Sequence, residues 1–189
     1  MSRPVPKPAR YEDLFDLPDH MIGQIVHGVL HAQPRPAPPH ARATTRLIGH
    51  IEPPFRGGRG GPGGWEILVG PELHLGPHIL VPDLAGWRRE RLPELPETAY
   101  FDLPPDWICE VLSPSTARLD RIEKMPIYAQ FVVQWLWLLD PQARTLEVFS
   151  LDRGRWTLEG SHADDARVKA PPFDAVELEL DPLWIKPSP

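Results

Sequence analysis

Two carboxylates stand in hydrophobic segments of this chain, where an unpaired charge is costly. Glu110 lies within residues 107–112, whose other members are all apolar, so this segment predicts a strand buried on both faces. Asp83 lies within residues 79–87, a second apolar segment that predicts a neighbouring strand. Burying an ionised carboxylate costs several kcal/mol unless a cation or hydrogen-bond donors meet it. Both acids are therefore candidates for chemistry.

The two acids together favour a bound metal ion. Carboxylates on neighbouring strands can lie a few ångström apart, where like charges repel strongly at low dielectric. A divalent cation between them relieves that repulsion, and Mg²⁺ takes oxygen ligands from one or two carboxylates while keeping several waters. The alternative, in which each acid pairs with a buried Arg or Lys, stays open on these residues alone.

Apolar periodicity, Gly and Pro divide the chain into short elements that must position these acids. Helical spacing predicts helices at residues 11–17, 40–51 and 117–131, and Pro126 is expected to kink or start the last one near Lys124. The Pro-rich segment 33–39 is expected to be an extended loop, because Pro lacks an amide donor. Short apolar runs predict a strand or hairpin at residues 25–32 and strands at residues 65–69, 72–75, 79–87, 107–112, 134–139, 145–151 and 155–159.

This order of helices and strands predicts the α/β fold class, with helices packed against one mixed sheet. We expect a flexible lead at residues 1–10 and a single domain over residues 11–189. No apolar run approaches the roughly 18 residues of a membrane span. Cys109 is the only cysteine, which excludes an internal disulfide and suits a reducing compartment, so a cytoplasmic location is expected.

The charge balance bears on nucleic-acid binding. The net charge of the chain is −6, which argues against tight nonspecific binding because such binding rests on Lys and Arg that neutralise phosphates. An acidic total is compatible with a nuclease, since carboxylates that bind a metal are themselves negative and a basic groove can be local.

Several motifs occur in a fixed order around the two acids. They are Pro82-Asp83, Glu110-Val111-Leu112-Ser113-Pro114-Ser115-Thr116, Asp120, Lys124 and Tyr128, with Tyr11-Glu12-Asp13-Leu14 before them and Trp137-Leu138-Leu139-Asp140-Pro141 after them. As a set they resemble the Uma-type restriction endonucleases, a bacterial branch of the PD-(D/E)XK nuclease superfamily. The resemblance extends from about residue 11 to residue 149.

The resemblance implies a restriction-endonuclease-like fold, in which helices flank a mixed central β-sheet, and a metal-dependent endonuclease that hydrolyses phosphodiester bonds in DNA. It implies that Asp83 and Glu110 bind Mg²⁺ or Mn²⁺, with the backbone carbonyl of Val111 as a third ligand. Lys124 would lower the pKa of the attacking water or stabilise charge on the phosphate. DNA is the implied partner, and a homodimer is expected from double-strand-cutting relatives.

The sequence departs from the superfamily or family pattern at three positions, one of which is Val132, where the family commonly has Gly after the helix. Leu112 stands where the usual acid-x-Lys motif has its lysine, and Lys124 on the following helix matches the displaced lysine of the Uma-type branch. Gln24 stands where the family has an early acid, and its amide can bind a metal but brings no charge. Gln24 and the acidic net charge leave open a noncatalytic descendant that serves as a binding or assembly module.

Three further residues complete the set of candidates. Glu72 is a second acid that could reach the metal, and His40 follows the Pro-rich loop and could approach the site. Asp120 is expected on the helix surface, paired with Arg121 or Lys124. Ser113 and Ser115 are expected to cap the helix, because no nucleophile-elbow context surrounds them.

Overall fold

The computed structural model describes residues 7–185. This part of the chain contains twelve strands and two α-helices. The α-helices are α1 (Pro38–Ile51) and α2 (Met125–Gln130). The strands are β1 (Met21–Val26), β2 (Val29–Pro34), β3 (Trp65–Val69), β4 (Leu73–Leu75), β5 (His78–Leu80), β6 (Leu84–Arg88), β7 (Trp107–Val111), β8 (Trp135–Asp140), β9 (Thr145–Asp152), β10 (Arg155–Ala163), β11 (Arg167–Val168) and β12 (Leu178–Glu179).

The strands form three sheets, and the largest of them positions the two acids. Its order is β10-β9-β8-β7-β6-β3, with β7 and β8 parallel and the other neighbours antiparallel. The parallel pair needs a long crossover, and that crossover carries α2. A four-stranded sheet has the order β2-β1-β5-β4, and β11 pairs with β12. This confirms the predicted α/β class with its mixed sheet and flanking helices.

Side chains of β7 alternate between two hydrophobic cores, one on each face of the sheet. Trp107, Cys109 and Val111 belong to the core that also contains Leu47 and Ile51 of α1. Ile108 and Leu112 belong to the core beneath α2. Because successive strand residues point to opposite faces, Glu110 points toward α2.

Four short helical segments occur in addition to the two α-helices. Two are 3-10 turns, at Tyr11–Leu14 and Asp181–Leu183, and two are π-helical, at Glu52–Arg56 and Leu119–Lys124. The predicted helix at 117–131 is thus a π-helical segment followed by α2. Pro126, which has no amide hydrogen, lies just after the junction, so the expected change near Lys124 is confirmed. No helix among the described residues is long and apolar enough to cross a membrane.

The prediction of an extended loop over residues 33–39 is wrong at both ends. Gln33 and Pro34 finish β2, an edge strand, where a missing amide donor interrupts no ladder. Pro38 and Pro39 begin α1, because the first helical turn has unpaired amides in any case. Of the strand or hairpin predicted at 25–32, the structure has the hairpin, formed by β1 and β2, which turns at His27 and Gly28. Residues 1–6 of the expected flexible lead lie outside the described residues.

The single strand predicted over residues 79–87 is also wrong. The segment contains two strands of different sheets, because β5 belongs to the four-stranded sheet and β6 to the six-stranded sheet. Val81, Pro82 and Asp83 connect them, and Pro82 cannot donate to a ladder. Asp83 therefore lies immediately before β6, at the end of the sheet.

The hairpin of β4 and β5, which leads the chain to Asp83, depends on Gly76. Gly76 has φ +60°, and a Cβ atom there would lie 2.9 Å from Cζ of Phe131. Gly76→Ala is therefore expected to lower the free energy of unfolding by about 1–3 kcal/mol, measured by denaturant titration. Gly49→Ala is the matched control: its Cβ would meet open space on α1, so a gain of about 0.5–1 kcal/mol is expected. Equal changes in both variants would contradict this account.

Candidate functional site

A pocket of about 550 Å³ opens at the carboxyl end of β7. Its walls are the start of α1, the segments 33–37 and 113–116, and the π-helical segment Leu119–Lys124. Six ionisable side chains line it: Arg35, His40, Asp83, Glu110, Asp120 and Lys124. The structure thus brings Asp83, Glu110, Lys124 and His40, four of the residues singled out by sequence, to one cavity, with Val111 also in its wall.

Asp83 is held by contacts from both sides of the pocket. Its Oδ2 accepts a hydrogen bond of 2.7 Å from the backbone N–H of Val111, and its Oδ1 lies 3.1 Å from Nε2 of His40. The pairing of Leu84 with Cys109 continues in register to place Asp83 beside Glu110. The two acids therefore lie beside each other in the backbone register, and both line the pocket.

Glu110 lies at the centre of a buried polar cluster beneath α2. Its Oε1 accepts hydrogen bonds from Nζ of Lys124 at 2.7 Å and from the Tyr128 hydroxyl at 2.5 Å. Nζ of Lys124 also lies 3.1 Å from Oδ1 of Asp120. The side chains of Glu110 and Lys124 are each only 2% exposed, so bulk water does little to screen their charges.

The pKa values in this cluster reflect burial first and the charges of neighbouring side chains second. Burial raises the pKa of Glu110 to about 8, Lys124 opposes that shift, and the negative charges of Asp120 and Asp83 add to it. Burial disfavours the Lys124 ammonium, yet the attraction of Glu110 and Asp120 outweighs burial and raises the pKa of Lys124. Three carboxylates line the pocket: Glu110 and Asp120 contact the Lys124 ammonium, and Asp83 contacts His40. The other basic side chain in the wall, Arg35, donates to the backbone carbonyl of Asp19. An added cation would relieve this excess of negative charge.

Tyr128 belongs to the motifs that carry the family resemblance, but the sequence analysis assigned it no role in the site. Burial, reinforced by Glu110, raises the pKa of its phenol well above the ordinary value, so the hydroxyl stays protonated and donates to Glu110. The signal was present in the sequence, because Asp120, Lys124 and Tyr128 follow one another at intervals of four. Side chains at that spacing lie on one face of a helix.

The expectation that Asp120 lies on the helix surface is wrong. Asp120 is 4% exposed and faces the pocket, because the π-helical segment turns it and Lys124 toward the sheet. Of the two partners expected for Asp120, Arg121 and Lys124, the structure has Lys124. Arg121 instead forms an ion pair with Glu147 of β9.

Gln24 and Glu72 lie outside the wall of the pocket. The Gln24 side chain is buried, and its Oε1 accepts a hydrogen bond of 2.9 Å from the backbone N–H of Val81. The Glu72 carboxylate lies 2.8 Å from Nε2 of His74 on β4. Gln24 thus fixes the backbone two residues before Asp83, and Glu72 belongs to a separate cluster.

The donors that face the pocket fit Mg²⁺ better than zinc. Within residues 7–185, no group of three or more His, Cys, Asp or Glu side chains could hold a metal ion, whereas structural zinc takes four protein ligands and catalytic zinc three. Mg²⁺ is held through one or two carboxylates, and waters and substrate phosphates complete its octahedron. Asp83 and Glu110 supply such a pair, and the surplus negative charge favours a divalent cation.

The nucleophilic side chains near the pocket lack the activation that covalent catalysis needs. Burial raises the pKa of the Cys109 thiol well above its ordinary value, and the negative charges of Asp83 and Glu110 reinforce that shift, so the thiolate is suppressed. The Ser113 hydroxyl lies 3.0 Å from the hydroxyls of Ser115 and Thr116. It also accepts a hydrogen bond from the Thr116 amide, which is a local turn contact.

Comparisons with known proteins agree with this architecture. One similar solved structure is titled a "putative nuclease belonging to DUF820 from Anabaena variabilis ATCC 29413"; it superposes with a TM-score of 0.73 at 21% identity, covering 93% of this chain and 97% of that chain. At this identity the likeness establishes the fold. No curated protein matches the chain. The model of the family Uma2, described as "Putative restriction endonuclease", matches residues 9–182. The match covers most of the sequence and confirms the resemblance carried by its motifs, so the chain belongs to the Uma2 family.

Proposed function

We propose that this chain is a metal-dependent endonuclease that hydrolyses phosphodiester bonds in DNA. The observation that carries the proposal is the meeting of Asp83 and Glu110 in one pocket, with the Lys124 ammonium bound to Glu110. Membership of a family described as "Putative restriction endonuclease" supports it, and so does the fold shared with a protein titled a "putative nuclease". DNA is the proposed substrate; a homodimer and a cytoplasmic location remain predictions.

Each residue of the site has a task in this proposal. Asp83 and Glu110 would hold Mg²⁺ or Mn²⁺, together with the backbone carbonyl of Val111. When bound, the ion supplies a Lewis acid that polarises a phosphoryl oxygen and makes water more acidic. Lys124 keeps Glu110 in place and offers its charge to the phosphate as negative charge develops there. Tyr128 donates to Glu110 and orients the carboxylate toward the pocket.

A noncatalytic binding or assembly module is the second candidate. It is favoured by Gln24, which brings no charge and whose amide oxygen is engaged by the Val81 backbone. The net charge of −6 also favours it, because strong binding of DNA relies on basic residues. Such a module would keep the pocket and the fold without the rate enhancement.

Metal removal separates the two candidates. Protein stripped with EDTA should leave supercoiled plasmid intact, and added Mg²⁺ or Mn²⁺ should restore nicking, followed on agarose gels. Glu72→Gln is the control variant, because Glu72 lies outside the pocket wall and should not be needed for cleavage. Metal binding without nicking at any metal concentration would establish the second candidate. Nicking that persists in excess EDTA would contradict metal dependence.

A further inference from the structure

His40 stands on a rigid part of the fold that aims it at Asp83. It occupies the first turn of α1, on the same helical face as Thr44, Leu47 and Ile51, which are buried. The Thr44 hydroxyl donates a hydrogen bond of 3.0 Å to the backbone carbonyl of His40. Because Leu47 and Ile51 anchor this face in the core, the His40 ring has little freedom to leave the pocket.

Asp83 needs such a partner because no strand holds it. It lies in the connection between β5 and β6, after Pro82, and its own backbone carbonyl accepts a hydrogen bond from the Gly70 amide. Its carboxylate has two contacts with described residues, the Val111 amide on Oδ2 and His40 on Oδ1. Without His40, the Val111 amide alone would orient the carboxylate, which could then rotate about that single hydrogen bond.

The direction of the hydrogen bond between His40 and Asp83 follows from the chemistry of the two groups. An ionised carboxylate only accepts hydrogen bonds, so Nε2 of His40 carries the proton that is shared with Asp83. The other ring nitrogen, Nδ1, is buried and has no hydrogen-bond partner among residues 7–185. A buried polar atom without a partner costs stability, so His40 contributes little to the stability of the fold. Its place in the pocket therefore indicates a functional role.

We infer that His40 is a positioning residue, which holds the Asp83 carboxylate in the orientation that binds the metal ion. The inference rests on the proposed function and adds to it the group that fixes one of the two ligands. Each oxygen of a carboxylate has two lone pairs, so Oδ1 can accept from His40 and still bind a cation. Hydrogen-bonded partners of metal ligands orient those ligands, and their loss lowers metal affinity or activity by about 10–100-fold.

Isothermal titration of the metal-free full-length protein with Mn²⁺ tests this role directly. His40→Leu removes the donor and is expected to weaken Mn²⁺ binding by about 10–100-fold. His40→Gln is the conservative variant, because the amide nitrogen of Gln can occupy the place of Nε2, and its affinity should stay close to that of the wild type. Thermal unfolding of both variants should show stability near wild type, since Nδ1 has no partner to lose.

Each outcome of the titration has one meaning. Wild-type affinity in His40→Leu would overturn the inference, and so would equal losses in His40→Leu and His40→Gln, because the imidazole itself would then be required. Asp83→Asn in the same titration separates this inference from the proposed function. If Asp83→Asn weakens binding and His40→Leu does not, the metal site stands and the role of His40 falls. If Asp83→Asn binds Mn²⁺ normally, the ion is held elsewhere and both fall.

Discussion

Asp83→Asn is expected to lower the rate of DNA cleavage by on the order of 100- to 1,000-fold at saturating Mg²⁺. The substitution removes one of the two carboxylate charges that we propose bind the ion. It conserves the shape of the side chain, and the amide oxygen of Asn can still accept from the Val111 N–H that Asp83 contacts at 2.7 Å. The measurement is the initial rate of plasmid nicking over a series of Mg²⁺ concentrations.

The controls for Asp83→Asn separate loss of chemistry from loss of structure. The thermal unfolding midpoint should stay near that of the wild type, since Asp83 lies at the end of the sheet and is 22% exposed. Asp102→Asn serves as the matched control, because Asp102 is an exposed acid outside the pocket. Cleavage by Asp83→Asn at the rate of the wild type would contradict the proposed active site.

Lys124→Met is expected to destabilise the protein by roughly 3–5 kcal/mol near pH 9, because removing one partner of a buried ion pair leaves the other charge uncompensated. Methionine keeps most of the length of the side chain and so limits the cavity. Glu110 and Asp120, which share the Lys124 ammonium at 2.7 and 3.1 Å, would then face each other without a cation. Denaturant titration of wild type and variant at several pH values measures the difference.

The destabilisation by Lys124→Met should grow as the pH rises. In the wild type, the folded-state pKa of Glu110 is raised to about 8, above its unfolded value, so the folded state favours the protonated acid. The stability that this proton contributes is fully present at low pH and is lost as the pH rises through about 8. Loss of the Lys124 charge raises that pKa further, so the variant should be closest to wild type near pH 5.

A double variant and a surface variant check the origin of this effect. Combining Lys124→Met with Glu110→Gln should recover part of the lost stability, because a neutral amide can still accept from Tyr128 and needs no cation. Lys169→Met, at an exposed position, should change stability by no more than about 0.5 kcal/mol. A pH-independent loss in Lys124→Met would mean that packing, and not charge, explains the destabilisation.

Much of the fold follows from local patterns. The burial of β7 could be predicted because every neighbour of Glu110 is apolar, and the change of helix near Lys124 because Pro126 lacks an amide hydrogen. The prediction failed between β5 and β6, two strands of different sheets that are joined by only three residues, Val81, Pro82 and Asp83. Hydrophobicity records that a segment is buried, and β5 and β6 are both buried. It does not record which strand each one pairs with.

What the sequence determined by itself is which residues carry unusual chemistry: a carboxylate among apolar neighbours must find a partner, and this follows from composition within a few residues. The tertiary structure decided which residues become the partners of these carboxylates. Glu110 meets Tyr128 across 18 positions, and Asp83 meets Val111 across 28. These contacts exist because β6 and β7 pair and because the crossover from β7 to β8 lays a helix over Glu110. Pairing of distant segments depends on the packing of the whole chain, and no local pattern of residues specifies it.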